Sequence, residues 1–180
     1  EYGRIWLQDS EFMNVYMKYM DTDNWHSYDR KYFLNQMLVL VTELHGSLAE
    51  CGCYKGASAY ILCNFATNHC KKVYLFDSFE GLSNPNIDDG NYWNKGDMSS
   101  GEETLHKNLR EFNCFSIKRG WIPDCFSKIS NNMFCFVHID VDLYQPTLDS
   151  ITYFYQRMVT SGILLFDDYG FETCPGVKKA

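Results

Sequence analysis

Met133–Tyr144 reads M-F-C-F-V-H-I-D-V-D-L-Y, an unbroken apolar run that ends abruptly in two aspartates. A run of this kind, rich in aromatic and β-branched residues and bounded by polar ones, predicts a strand buried on both faces. An echo follows at Gly162–Tyr169, G-I-L-L-F-D-D-Y. Open α/β sheets take ligands beyond the carboxyl ends of their strands. Two neighbouring strands ending in this way bring Asp140, Asp167 and Asp168 to one edge of the sheet. Three carboxylates so close repel unless a cation sits between them, and hard oxygen donors suit magnesium, calcium or manganese.

Working outward, Ser47–Cys51 is a short apolar strand that runs into G-C-Y-K-G-A-S and an apolar helix, Ala57–Asn68. Lys72–Asp77, K-V-Y-L-F-D, is a second strand ending in an acid, and Cys114–Lys118 is a third. Between them the polar stretch Ser78–Gly101 holds glycines at 81, 90, 96 and 101. A loop this long inside a compact domain serves as a lid or binding loop. Ser100-Gly-Glu-Glu resembles a helix N-cap, and that helix continues through Leu109 to Phe112. Gly120–Pro123 is a turn, and a helix from about Gln145 to Met158 leads to a strand at Ile163–Phe166. Strands alternating with helices call for a parallel sheet with right-handed crossovers. The predicted fold is α/β, a Rossmann-like, doubly wound, mostly parallel sheet over residues 47–180.

Residues 1–46 form a helical lead-in. Phe12, Tyr16 and Met20 fall at helical spacing within Glu11–Met20, which predicts an amphipathic helix. Asp21–Ser27 is a polar loop. A second helix runs from about Tyr28 to about Leu44, ending before Gly46, with Phe33, Met37, Leu40 and Val41 as its core stripe. The closing G-V-K-K-A looks like the start of another helix, so the domain is expected to extend beyond Ala180, and its beginning also falls mid-chain.

A chain of 180 residues, 46% hydrophobic and 17% aromatic, is long enough for one domain with a sizeable core. A formal charge of -7 argues against binding a nucleic-acid backbone. No apolar run approaches the roughly 20 residues of a membrane span, and the first ten residues show no signal-peptide core. Of the eight cysteines, Cys51, Cys63 and Cys135 lie inside apolar stretches, where a free thiol behaves as a small hydrophobe. The expectation is a reduced, cytoplasmic protein, with Cys51 and Cys53 filling a turn.

That turn, Glu50-Cys-Gly-Cys-Tyr-Lys-Gly, has glycines that let the backbone approach a ligand, yet its spacing departs from the dinucleotide fingerprint. Asp77 ends the next strand, where an acid can accept both hydroxyls of a ribose. Together, Glu50, Gly52, Gly56 and Asp77 describe a nucleoside-bearing cofactor with no pyrophosphate requirement, and S-adenosylmethionine fits.

In this combination the chain resembles the magnesium-dependent sugar O-methyltransferases of macrolide and aminocoumarin biosynthesis, the macrocin O-methyltransferase family. The stretches that carry the resemblance are A-E-C-G-C-Y-K-G-A-S, L-F-D-S-F-E-G-L, R-G-W-I-P-D, H-I-D-V-D-L-Y-Q-P-T-L-D and L-L-F-D-D-Y-G, in order from about Tyr28 onward. The resemblance implies a class I methyltransferase core using S-adenosylmethionine and Mg2+ or another divalent cation. It implies that Glu50, Gly52 and Gly56 line the cofactor's methionine and ribose end, with Cys53 and Ser58 also binding the cofactor. Asp77 would hold the ribose hydroxyls with Ser78 and Phe79 beside the adenosine, and Gly120 and Trp121 would sit near the adenine. Asp140, Asp167 and Asp168 would be the metal ligands. Family members also carry a terminal β-hairpin beyond this point, without which the sheet keeps an exposed edge.

The chemistry agrees. A sugar hydroxyl is a poor nucleophile at neutral pH. A divalent cation that chelates two neighbouring oxygens lowers the hydroxyl pKa and fixes the acceptor in line with the methyl group. Asp140 is the candidate for taking the proton as well as for binding metal. The expected acceptor is a small-molecule sugar or glycoside. A catechol-like phenol is the alternative, because the same metal site would serve a catecholate. A nicotinamide-dependent oxidoreductase predicts G-x-G-x-x-G and no carboxylate cluster, the reverse of this sequence. His138 either faces the site or is a hydrogen-bonded strand histidine, and His106 lies on a solvated helix. Asp142 either orients a ligand or caps the following helix. Tyr92 and Trp93 either close over an acceptor or anchor the loop. The Phe12–Met20 stripe suggests pairing into a homodimer or higher homo-oligomer.

Overall fold

A computed structural model describes residues 3–18, 27–129 and 131–180. Five strands, β1 (Ser47–Cys51), β2 (Val73–Asp77), β3 (Phe115–Arg119), β4 (Phe134–Ile139) and β5 (Met158–Phe166), form one sheet in the order β3-β2-β1-β4-β5. Every strand pair is parallel. Helices α3 (Ala57–Asn68), α4 (Glu102–Asn108) and α5 (Tyr144–Tyr155) carry the chain from β1 to β2, β2 to β3 and β4 to β5. The winding reverses at β1, which lies between β2 and β4. The carboxyl ends of β1 and β4 therefore flank the crevice where open sheets take ligands. The predicted doubly wound α/β fold is the observed one.

Alternation along the buried strands splits the core in two. On one face Leu48, Leu75 and Phe136 pack with the apolar side of α3 and with Leu34 and Leu38 of α2 (Tyr28–Val39). On the other, Ala49, Cys51, Phe76, Val137 and Ile139 pack against Phe126 and the α5 residue Phe154. The same alternation sets up the chemistry. Glu50 and His138 stand side by side in register, two residues beyond Leu48 and Phe136, so both polar side chains fall on the α2 face.

Several boundaries differ from the sequence reading. The α2 helix ends at Val39, and residues 40–44 tighten into turns through bonds such as Val41 N–H to Leu38 O, 3.1 Å. Its buried stripe is Leu34, Leu38 and Val41, whereas Phe33 and Leu40 are exposed. The α4 helix is capped by Gly101 and not Ser100, and it stops at Asn108. The β5 strand begins at Met158, five residues early, and its pairing with β4 shifts register between Phe134 and Phe136.

The first amphipathic helix is α1 (Ser10–Met17). Phe12 and Tyr16 are buried within the chain, at 5.0 Å from the Tyr32 ring and 4.1 Å from the Tyr28 ring. The stripe read as a pairing surface is thus consumed internally, and its last member, Met20, lies outside the described residues, as does nearly all of the Asp21–Ser27 loop. The chain ends in α6 (Pro175–Lys179). No helix among the described residues is long and apolar enough to cross a membrane. All eight cysteines are unbridged, and Cys51 and Cys53 are core residues.

Candidate active site

The turn after β1 is built by backbone geometry. Gly52 has φ +81, and a Cβ there would lie 1.8 Å from the Asp140 carbonyl oxygen. Only glycine lets β1 and β4 approach this closely. Asp77, at the end of β2, pins the turn from the other side. Its Oδ2 accepts from Cys53 N–H (2.7 Å) and Tyr54 N–H (3.1 Å), and its Oδ1 accepts from Phe79 N–H (2.7 Å). Burial pushes the Asp77 carboxyl up, and the three donors pull it back.

Beyond the strand ends opens a cavity of about 350 Å³, within the size range of small-molecule and cofactor sites. Its wall takes Gly52 and Cys53 from the first turn, Ser58 from the start of α3, Asp77 and Ser78 from the end of β2, and Gly120 and Trp121 from the end of β3. Asp140 and Asp142 after β4, with Asp168 after β5, complete the acidic side. Gly56 and Phe79 do not line it. Gly56 starts α3 with φ +95 against Leu105, and Phe79 belongs to the core.

Behind the acidic wall runs a buried polar chain. Glu50 Oε1 lies 2.9 Å from His138 Nδ1, and His138 Nε2 lies 3.3 Å from Asp167 Oδ1. Both ring nitrogens are engaged, which makes His138 a hydrogen-bonded strand histidine. Glu50 Oε2 is buried without a hydrogen-bond partner among the described residues. Such an orphan is costly, and Glu50, like Asp167, lies behind the cavity wall and does not line it.

Two cations from α2 meet the carboxylates. Arg30 pairs with Asp167, lies 3.7 Å from Asp168 and stacks 5.0 Å from the Phe171 ring. Lys31, only 3% exposed, lies 3.8 Å from Asp140 and 3.9 Å from Asp167 and donates to Ser58 Oγ at 3.0 Å. Burial lowers its pKa, and Asp140 raises it back in part. Asp168 is pushed well above the carboxylate range by burial and then by Asp140 and Asp142. Asp142 is pushed up to about 7, again by burial first and Asp140 second.

The three predicted ligands fall at this edge in two separate groups. Donor atoms of Asp140 and Asp167 lie within 4.8 Å of each other and of His138, while those of Asp168 group with Asp142 and Cys174. Five carboxylates thus face two cations and one histidine. Hard oxygen donors in excess negative charge fit a divalent cation.

The long loop docks firmly on the acidic side. Asp89, 2% exposed, accepts from Tyr144 N–H at the start of α5 (2.6 Å) and from Asn86 N–H (2.8 Å). Asp89, and not Asp142, therefore caps α5. Trp93 Nε1–H points to Cys174 Sγ at 3.3 Å, and Tyr92 meets the Trp93 ring edge-on at 4.8 Å. Both aromatics line the cavity with Phe171 and Thr173. His106 is exposed, 3.8 Å from Glu102.

Sequence reasoning passed over Arg30 and Lys31. The available signal was a lysine at position 31 on the stripe of Leu34, Leu38 and Val41, where a charged residue needs a partner.

The profile of the family described as macrocin-O-methyltransferase (TylF) matches residues 33–180. The demethyldecarbamoylnovobiocin O-methyltransferase of Streptomyces niveus is 24% identical over 160 residues, covering 79% of this chain and 59% of that protein. The 8-demethyl-8-(2,3-dimethoxy-alpha-L-rhamnosyl)-tetracenomycin-C 4'-O-methyltransferase of Streptomyces olivaceus is 23% identical over 150 residues, covering 76% and 58%. This chain therefore spans under three fifths to about three fifths of those relatives. The solved structure of CalS11, a calicheamicin methyltransferase, shares the fold with a TM-score of 0.73 at 14% identity, over 99% of this chain and 83% of that one. The profile match covers most of the sequence and all of the cavity wall except Arg30 and Lys31, and the chain belongs to the macrocin O-methyltransferase family.

Proposed function

We propose that this chain carries the catalytic core of an S-adenosylmethionine-dependent, divalent-metal-dependent O-methyltransferase that acts on a sugar hydroxyl. The observation that carries this reading is the single cavity wall that joins the Gly52–Asp77 turn to the Asp140, Asp142 and Asp168 carboxylates. The first half suits a nucleoside and the second a cation-bound acceptor. The rhamnosyl group in the name of the tetracenomycin relative favours a sugar over a catechol.

In this reading Asp77 retains acceptor capacity for a ribose hydroxyl while holding the turn, and Ser78, Gly120 and Trp121 flank the nucleoside. Asp140, Asp167 and Asp168 hold magnesium or a similar ion, which when bound supplies the acidity that turns a hydroxyl into a nucleophile. Asp140, on the cavity wall, takes the released proton. Arg30 and Lys31 keep the carboxylates ordered and partly neutralised.

The test is transfer of a labelled methyl group from S-adenosylmethionine to a panel of nucleotide-linked rhamnoses, glycosides and catechols, with full-length protein. Label is expected on a sugar and to be lost with EDTA; label on a catechol alone would contradict the sugar reading. In the same assay Trp93→Ala should raise the KM for the acceptor about tenfold, the worth of one aromatic contact, and leave the KM for the methyl donor unchanged. Equal changes in both would remove Trp93 from the acceptor side.

A pH dependence follows from the raised acids. Asp142 moves from the ordinary 3.8 to about 7, and Asp168 moves the same way. Both hold protons in the folded chain that the unfolded chain has released. Without a divalent ion, the fold therefore loses stability as pH rises from about 4 through about 7. A bound cation displaces those protons. The gain in melting temperature with magnesium over EDTA is expected to be small at about pH 5.5 and to grow toward about pH 8. A gain that is flat or shrinks over that range would contradict the assignment of Asp168 to a metal site beside Asp142.

A further inference from the structure

Behind the cavity wall, β1 and β4 place Glu50 and His138 side by side, and both residues are fully buried. Asp167, just past β5, is tied to β4 through its N–H, which donates to Ile139 O at 3.0 Å. The His138 imidazole thus sits between two carboxylates, with Nδ1 2.9 Å from Glu50 Oε1 and Nε2 3.3 Å from Asp167 Oδ1. A neutral imidazole has one N–H to give. The shorter contact assigns it to Nδ1, which donates to Glu50. Nε2 then turns its lone pair toward Asp167, and a lone pair and a carboxylate repel unless a cation is shared between them.

We propose that His138 Nε2 is a ligand of the divalent metal, beside Asp140 and Asp167, with Glu50 as the carboxylate that fixes the ring. The proposal rests on the metal-dependent reading above and adds a nitrogen to its oxygen donors. Three observations carry it. First, a metal-ligating histidine typically donates its other ring N–H to a carboxylate, which sets the tautomer and strengthens the ligand; Glu50 stands in that position, at 2.9 Å. A fully buried carboxylate is costly without a positive partner, and an imidazole that carries the charge of an ion supplies one.

Second, the spacing fits. Donors held about 2.1 Å from one octahedral ion stand roughly 3 to 4.2 Å from each other. The 3.3 Å between His138 Nε2 and Asp167 Oδ1 already falls in that range, and the whole group of His138, Asp140 and Asp167 lies within 4.8 Å. Third, a cation already favours the spot. The Lys31 ammonium lies 3.8 Å from Asp140 and 3.9 Å from Asp167, with Ser58 Oγ 3.0 Å away as its alternative partner. Asp140 and Lys31 both line the cavity, which gives an ion its way in. The consequence is metal choice. Oxygen-only sets suit magnesium, whereas an imidazole favours Fe2+, Co2+ or Zn2+, so the site is expected to hold a transition metal more tightly than magnesium.

The experiment uses Mn2+ as a paramagnetic probe on full-length protein, unlabelled and with 15N in its histidine rings, read by electron spin echo modulation. Bound Mn2+ is expected to show nitrogen modulation that changes from the 14N to the 15N pattern on labelling. His138→Gln should abolish it. Glu50→Gln should keep the modulation and weaken Mn2+ binding about tenfold or more. Bound Mn2+ without histidine nitrogen, or modulation that persists in His138→Gln, overturns the proposal and leaves the metal-dependent reading standing. Absence of Mn2+ binding removes both. Should His138→Gln fail to fold, Glu50→Gln decides, and an unchanged Mn2+ affinity there overturns the proposal.

Discussion

Asp167→Asn is expected to lower methyl transfer by about a thousandfold or more, the worth of several kcal/mol of transition-state stabilisation from a correctly held cation. The side chain sits at the centre of the buried network. It pairs with Arg30, lies 3.9 Å from Lys31 and 3.3 Å from His138, and is one of the two carboxylates of the inner donor group. The amide keeps the shape and removes the charge. Two α2 cations then share Asp140 and Asp168 alone. Removing one partner of a buried ion pair costs about 3 kcal/mol or more, but Arg30 retains Asp168 at 3.7 Å and its side chain is 25% exposed, so about 2 kcal/mol is the better expectation. A variant that stays folded, binds the methyl donor and has lost metal-dependent turnover separates the chemical role from the structural one. Near-normal turnover would remove Asp167 from the proposed metal site.

Gly52→Ala is expected to be the most damaging single methyl group in the chain. The new Cβ would lie 1.8 Å from the Asp140 carbonyl oxygen and 2.9 Å from its carbonyl carbon. Both are backbone atoms, so no rotamer change relieves the overlap. The residue also has φ +81, where any L side chain is strained. Around this point Gly52 N–H donates to Phe76 O and Asp140 N–H donates to Cys51 O, both at 2.9 Å. Pushing β4 away from β1 breaks the alignment that carries Asp140 to the cavity. A cost of about 4 kcal/mol, with a fall of roughly 10 °C in Tm, follows for a chain of this size. Thermal unfolding reads it directly, with Gly101→Ala as the control, because a Cβ there meets nothing within 4 Å. Equal Tm values for the two variants would contradict the close β1–β4 approach.

Much of this was legible in the chain because strand ends are local signals. An apolar run that stops at Asp140 or Asp77 announces both the strand and the edge where its acid emerges, whatever else the chain does. The partners of those acids were not legible. Arg30 and Lys31 stand more than a hundred residues from Asp140, and only the packing of α2 across the sheet brings them together. The stripe on α2 shifted by one residue from the sequence reading, since periodicity alone does not distinguish an exposed Phe33 from a buried Leu34. Asp89 likewise looked like one acid among many in a polar loop. Its role as the cap of α5 depends on where that loop docks.

One cavity joins the Gly52–Asp77 turn, proposed to bind a nucleoside, to the acidic wall proposed to bind a metal. Calorimetric titration of S-adenosylhomocysteine into full-length protein, with magnesium and again with EDTA, tests it most directly. Micromolar binding that survives EDTA is expected, together with separate magnesium binding that is abolished in Asp167→Ala. No binding of S-adenosylhomocysteine, with NAD binding in its place, would contradict it.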